Sequence, residues 1–376
     1  MKLVFLQETF WPLIGGIEIL SMRALLALRR RGYEPAVITS FAGSDLPARD
    51  EVMGIAVYRL PFRKALAGRN IEAVIQCRSE LARLRRELCP DVIQVHFSGP
   101  SGYFLLATAA ADDPPVVMAV RHPVDELATG DDALVNRLLR AATWVTGNSR
   151  STLDAARRAV PEIDSRSSVI LNGLTAPELV PAELAFDPPE LLCLGRLIHD
   201  KGFHTAVQAF ATIRQRFPTA RLTIAGDGPA RPDLEGQVRA LGLEEAVRFT
   251  GWVNPEDVAA TINRASIVLM PSREESFGLV ALESGLMGRP VVASRVGGLP
   301  EVVQHGETGL TVTRDDPQAL AEAAIDLLED PDRARRYGKA GRERGLAAFS
   351  LDRYVDQYDA LYRRLAGRGA ERRKAG

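Results

Sequence analysis

Short runs of almost wholly apolar residues recur along this chain, each followed by a longer stretch whose apolar residues have helical spacing. The first half holds "KLVFLQ", "PAVITS", "DVIQVH", "PVVMAV" and "SSVILN"; the second holds "ELLCLG", "ARLTIAG", "AVRFTG", "SIVLMP" and "PVVAS". A strand wet on one face alternates apolar and polar residues, whereas a continuous apolar run must be covered on both faces. The stretches between have helix punctuation: "EILSMRALLALRRRG" closes on Gly32, and "NIEAVIQCRSELARLRREL" is stopped by Pro90. Strands covered on both sides and alternating with helices require an α/β fold with doubly wound parallel sheets.

The chain has 376 residues, more than one core usually organises. Its pattern pauses in the proline-rich "GLTAPELVPAELAFDPPE". The expected division is residues 1–172, a linker at 173–189, a second Rossmann-like domain at 190–349, and a disordered basic tail at 367–376. Lys and Arg total 47 against 48 Asp and Glu, a net charge of −1 that argues against nucleic acid as a partner. Cys77, Cys89 and Cys193 fit neither a disulfide framework nor a zinc site, so a cytoplasmic location is expected. No apolar run reaches the roughly 20 residues of a membrane span. "MKLVFLQETF" meets an acid soon after its apolar run, unlike a signal peptide, and reads as a first strand.

In doubly wound sheets ligands sit beyond the carboxyl ends of the strands, so functional residues should follow strands directly. The stretch "PSREESFGLVALESGLMGRPVVASRVGGLPE" follows "SIVLM" and carries Glu275 and Glu283. On one continuous helix they would lie roughly 12 Å apart along the axis, too far to grip one small group. If Glu275 precedes a helix that contains Glu283, both can face an extended ligand. The backbone N–H groups of Ser276, Phe277, Gly278 and Leu279 would then offer an anion site. Two solvated surface charges remain the plain alternative. "LLCLGRLIHDKG" delivers Gly195, Arg196 and Lys201 into one loop, a planar fork and a point charge suited to a diphosphate. "IAGDGP" places Gly226 and Gly228 after another strand, and "VRFTGWV" sets the backbone at Trp252 and Val253 where a base could lie. In the first half, Gly15 and Gly16 open a helix after a strand, and His122 follows "VVMAV", placed for hydrogen bonding or proton transfer.

These segments in order, "FWPLIGG", "HP", "SVILNG", "GRLIHDKG", "IAGDGP", "VRFTGWV", "MPSREESFGLVALESGLMGRPVVAS", "GGLPEVV" and "GETGL", resemble the retaining glycosyltransferases of family 4 over nearly the whole chain. The resemblance implies a GT-B fold, two Rossmann-like domains with a C-terminal helix at about 350–366 that returns to the first. It implies a hexosyltransferase-type enzyme with a nucleoside-diphosphate sugar as donor, an α-linked product, no cofactor and no metal. By that likeness Arg196 and Lys201 bind the diphosphate, Glu283 the ribose hydroxyls, and Glu275 with Ser276, Phe277 and Gly278 the transferred sugar. Gly16 lets its loop close on the phosphates, and His122 contacts the sugar. The acceptor class is a lipid, a glycan or a small molecule, as in cell-envelope or polysaccharide synthesis. Two departures from the family pattern stand out: Leu174–Thr175 where a valine and an aspartate are usual, and Ser284 after the second glutamate. "GDD" at 130–132 lacks the spacing of a metal-binding DxD pair, and "RDD" at 314–316 begins a helix.

Arg63, Lys64, Arg69, Arg78, Arg83, Arg85 and Arg86 outnumber Glu72 and Glu80 in residues 63–86, with Arg29, Arg30 and Arg31 adding charge. Such a patch would suit an anionic membrane surface, against a plain solvated helix face. Tyr354, Tyr358 and Tyr362 recur every four residues, a core stripe rather than a ligand surface. An epimerase-type enzyme of the same fold and a catalytically silent sugar-nucleotide-binding subunit are the rival readings. The oligomeric state is not readable.

Overall fold

The computed structural model describes all residues except 14, 42–45, 69, 97–98, 123–129, 131 and 376, and only the backbone of 368–375. The chain forms two compact units: residues 1–173 with 351–376, and residues 174–350.

The first unit holds strands β1 (Lys2–Gln7), β2 (Glu34–Ser40), β3 (Arg49–Val52), β4 (Ile55–Leu60), β5 (Val92–His96), β6 (Val116–Val120), β7 (Trp144–Gly147) and β8 (Ser167–Val169). Helices α1 (Gly16–Arg30), α2 (Phe62–Ala67), α3 (Ile71–Leu88), α4 (Pro100–Ala107), α5 (Leu134–Ala141) and α6 (Arg150–Ala159) connect them. The sheet order is β3-β4-β2-β1-β5-β6-β7-β8. All its pairs are parallel except β3–β4. Alternate residues of a single apolar run serve two cores. Val4 and Leu6 pack with Ile93, Val95 and Phe104 on one face, while Leu3 and Phe5 pack with Leu20, Leu25 and Leu28 on the other. This is why the strands read as continuous apolar runs.

The second unit holds β9 (Glu190–Leu194), β10 (Arg221–Ala225), β11 (Val247–Gly251), β12 (Ile267–Met270), β13 (Val291–Ser294) and β14 (Gly309–Val312). Its helices are α7 (Phe203–Arg216), α8 (Arg231–Ala240), α9 (Val258–Asn263), α10 (Leu279–Leu286), α11 (Leu299–Val302), α12 (Pro317–Glu329) and α13 (Pro331–Ala348). The six strands run β11-β10-β9-β12-β13-β14, all parallel. The chain then rejoins the first unit as α14 (Leu351–Ala375). There Tyr354, Tyr358 and Tyr362 are buried in the core beside α1, as a stripe at helical spacing should be.

Two sequence expectations need correction. The tail at 367–376 was expected to be disordered, yet the backbone of α14 stays helical to Ala375: no proline interrupts "GRGAERRKA", and Gly367 and Gly369 weaken a helix without ending one already nucleated. The 173–189 segment is no free linker beyond Gly173. The Arg289 guanidinium, 1% exposed, donates to the carbonyls of Ala182 and Ala265 and to Asn263 Oδ1. Asn263 in turn donates to Val180 O and accepts from Ala182 N. The prolines prevent regular structure, and side chains of the second unit take up the backbone groups that remain.

Candidate functional site

In the second sheet the chain winds from β9 outward through β10 and β11, then returns to the other side of β9 with β12. The crevice beyond the carboxyl ends of β9 and β12 is therefore the topological switch point, where such sheets take ligands. The loop after β9 carries Gly195, Arg196 and Lys201, and the loop after β12 carries Glu275. The two loops meet there: Lys201 Nζ lies 2.7 Å from Glu275 Oε2. Backbone contacts lock the meeting, since Arg273 N donates to Asp200 O at 2.8 Å and Gly298 N to Glu275 O at 3.0 Å.

Glycine permits this closeness. A Cβ on Gly297 would stand 1.8 Å from Glu275 O, and one on Gly202 would stand 2.0 Å from Pro271 O. Gly226, at φ +135°, donates its N–H to Gly251 O and would place a Cβ 1.9 Å from Gly195 O. No larger residue fits between these strand-end loops.

Glu275 precedes α10 and Glu283 lies within it, which excludes one continuous helix over 275–283. The helix begins at Leu279 with Gly278 as its cap at φ +100°, slightly later than expected, and its first turn holds no acidic side chain. The first-turn N–H groups lack helical acceptors and carry the positive end of the dipole. Ser276 and Gly278 lead into that turn. The Phe277 side chain is 1% exposed and packs edge-on against Phe349, so only its backbone is available to a ligand. Glu283 is half-buried, Val253 follows β11 half-buried, and the neighbouring Trp252 is 55% exposed. The Arg196 guanidinium is exposed, and among the described residues it has no hydrogen-bond or ion-pair partner.

The remaining sequence candidates lie in the first unit. Gly15 caps α1 and Gly16 is its first residue. Here the helix start has an acid of its own. Glu18 accepts from Thr9 Oγ1 at 2.5 Å, and its Oε2 lies 2.6 Å from where a Gly15 Cβ would be. His122 is exposed two residues beyond the end of β6, while Pro123 and the residues to 129 fall outside the described ones.

Two known families cover the chain in turn: Glycosyltransferase Family 4 matches residues 14–176, and Glycosyl transferases group 1 matches residues 179–344. The chain is also 30% identical to a glycogen synthase of Mycobacterium tuberculosis (strain H37Rv), spanning 88% of this chain and 78% of that protein. The chain belongs to glycosyltransferase family 4. Sucrose-phosphate synthase of Thermosynechococcus elongatus superposes with a TM-score of 0.82 at 26% identity, covering 97% of this chain and 98% of that one. Anabaena HepE, solved in complex with UDP-glucose, superposes with a TM-score of 0.76 at 20% identity over 96% and 99% of the two chains. The fold is GT-B, and the protein is a glycosyltransferase.

Several features of this glycosyltransferase were not singled out by sequence. In the first sheet the switch point falls between β1 and β5, and the residue just beyond β1 is Glu8. Its carboxylate is buried, accepting from Ser40 Oγ at 2.9 Å, Ser101 N at 3.0 Å and Arg63 Nε at 3.3 Å. Its position directly after "KLVFLQ" was the available signal. Beside the Lys201 loop, Arg273 reaches the His199 ring and pairs with Asp315 at 3.1 Å, and His199 stacks on His204 at 5.4 Å. Burial, then the nearby His199 and Arg273, lowers the pKa of His204.

The basic patch is smaller than its sequence suggests. Arg63 faces Glu8, Arg83 pairs with Glu80 and Glu87, and Arg85 is buried against Asp113 and Thr108. Arg29 holds the carbonyls of Met53 and Gly54, and Arg31 pairs with Asp356 at 2.6 Å. Glu8, Asp113 and Asp356, all distant in sequence, answer Arg63, Arg85 and Arg31, whereas Glu80 and Glu87 answer Arg83 within its own helix. Arg30, Lys64, Arg78 and Arg86 remain exposed, and Arg69 lies outside the described residues. Among the described residues no helix is long and apolar enough to cross a membrane, and no group of three or more His, Cys, Asp or Glu is arranged to hold a metal ion.

Proposed function

We propose that this glycosyltransferase moves a hexose from a nucleoside-diphosphate sugar, held by the second unit, to an acceptor hydroxyl with retention, giving an α-linkage. The observation that carries the reading is the Lys201–Glu275 pair at the β9/β12 switch point, beside the acid-free start of α10. A lysine ammonium has three donors and spends one on Glu275, so two stay available for a diphosphate. The carboxylate keeps acceptor sites for the hydroxyls of the transferred sugar. Arg196, exposed in the same loop, adds a fork for phosphate oxygens.

Charge grows on the diphosphate as the glycosidic bond breaks. Arg196, Lys201 and the first-turn N–H groups of α10 stabilise that charge more in the transition state than in the bound donor, which is where binding accelerates a reaction. The leaving phosphate takes the proton of the acceptor hydroxyl arriving on the same face. Glu283 accepts from the ribose, the backbone at Val253 borders the base, and Gly16 and His122 serve from the first unit. Cationic side chains do the work of charge neutralisation, so the reading calls for no metal. The complex of Anabaena HepE with UDP-glucose supports a donor of this class.

The test is a thermal-shift panel of UDP-, GDP-, ADP- and TDP-sugars, followed by turnover of the best donor with and without EDTA. The reading expects one donor to stabilise the protein and to be consumed in both buffers once an acceptor is present. Consumption without acceptor to an epimeric sugar nucleotide would favour an epimerase. Binding without turnover for every acceptor class would favour a silent subunit.

A further inference from the structure

Arg121 is the last residue before His122 and is 3% exposed. Among the described residues no carboxylate pairs with it. Nη1 donates to Asn172 Oδ1 at 2.9 Å, Nη2 donates to Tyr354 Oη, the guanidinium lies 5.8 Å from the Tyr354 ring centroid, and Nε has no partner. Burying a cation among neutral groups is costly, and an apolar or amide side chain would hold the core more cheaply.

Its two partners occupy particular places in the chain. Asn172 is the penultimate residue before the chain leaves the first unit, and Tyr354 stands at the start of the helix on which it returns. Both are buried. Within the second unit the same two crossings are tied to each other, with Leu174 N donating to Phe349 O at 2.8 Å and Leu174 bridging Ser350. Further along α14, Tyr358 bonds Thr146 at 2.9 Å, and Tyr362 bonds Gln94, which contacts His96. The returning helix is thus fastened to β5 and β7 by neutral bonds, and to the end of β6 by a cation.

We propose that Arg121 is a positioning residue of the transfer reaction, a buried two-armed clamp that fixes both chain crossings to the strand end presenting His122. This rests on the reading of His122 as a site residue. A planar guanidinium donates to two acceptors held apart, whereas an ammonium cannot reproduce that fork. A small misplacement of a reacting group costs rate without touching ligands elsewhere.

The test compares Arg121→Lys, Tyr354→Phe and His122→Ala in the full chain, using the donor found by the panel above. Arg121→Lys, folded by circular dichroism, is expected to lose about tenfold or more in kcat while donor KM stays within about twofold. Amide exchange at 170–173 and 351–356 should quicken in it, with the second unit unchanged. Wild-type kcat in folded Arg121→Lys overturns the proposal, as does a kcat loss matched by an equal rise in donor KM. If Arg121→Lys does not fold, Tyr354→Phe decides: it removes one arm and keeps charge and volume, so an unaltered kcat there refutes the clamp. His122→Ala separates the two claims. Wild-type turnover in it defeats the reading of His122, whereas an inactive His122→Ala beside a fully active Arg121→Lys defeats the clamp alone.

Discussion

Lys201 and Glu275 stand 74 positions apart in sequence and 2.7 Å apart in space, at the junction of the two strand-end loops that flank β9 and β12. Each is the other's partner in the free protein, and each retains hydrogen-bonding capacity for a donor. Removing either also strands its neighbour. Lys201→Ala and Glu275→Ala are each expected to lower turnover at least tenfold, a barrier change of about 1.4 kcal/mol. In the double variant the losses should be less than additive, because the two groups act through one contact. Steady-state kinetics of the three proteins checks this, and full additivity would show that the pair does not work as a unit.

Gly297 supports Glu275 from below. With φ at +50° and Glu275 O where its Cβ would be, Gly297→Ala must push the Glu275 loop away. A loss of about 1–3 kcal/mol in unfolding free energy is expected, together with weaker donor binding. Urea unfolding and calorimetry measure the two effects. Gly306→Ala, also at positive φ but facing open space, should show the strain alone and leave donor binding intact.

Acid should destabilise the protein through two imidazoles, His96 buried and His204 half-buried. His96 is pushed well below its ordinary value of 6.5 by burial and by the Arg121 charge, and His204 is lowered by burial with His199 and Arg273. In the folded state both release their protons at lower pH than in the unfolded chain, so the unfolded chain binds more protons in between. Stability is full above about pH 6.5 and falls as pH drops below it. Urea midpoints at about pH 7.5 and 5.5 should show the decline, and His96→Gln should reduce it. An unchanged slope in that variant would contradict the assignment to His96.

The strap at 174–189 depends on Arg289. Arg289→Met fills similar space but leaves the carbonyls of Ala182 and Ala265 without their donor. An expected loss of about 2–4 kcal/mol follows from stranding two acceptors. Limited proteolysis should then cut near exposed Val180 before the rest of the second unit. Equal resistance in both proteins would show that the strap is held by other means.

The fold and the strand-end loops of the candidate site were legible in the sequence for one physical reason: strands covered on both faces must be apolar throughout, and in such sheets ligand-binding loops follow the strands directly. "KLVFLQ" is β1 to the residue, and Gly195, Gly226 and Glu275 each fall past a strand end. The Lys201–Glu275 contact was not legible, since it depends on β12 returning to the far side of β9, which no local spacing encodes. The charged edge strand β3, "RDEV", has no apolar run to announce it. Arg63, Arg83 and Arg85 read as a patch because the acids that answer them are Glu8, Glu87 and Asp113, two of them far along the chain. Arg121 gave no signal beyond standing next to His122.

The most direct measurement is a crystal structure of the protein soaked with its nucleoside-diphosphate sugar. The account predicts the diphosphate at the start of α10, within hydrogen-bond reach of Lys201 and Arg196, with sugar hydroxyls on Glu275 and ribose hydroxyls on Glu283. A fully occupied donor bound elsewhere, with the Lys201–Glu275 pair untouched, would contradict it.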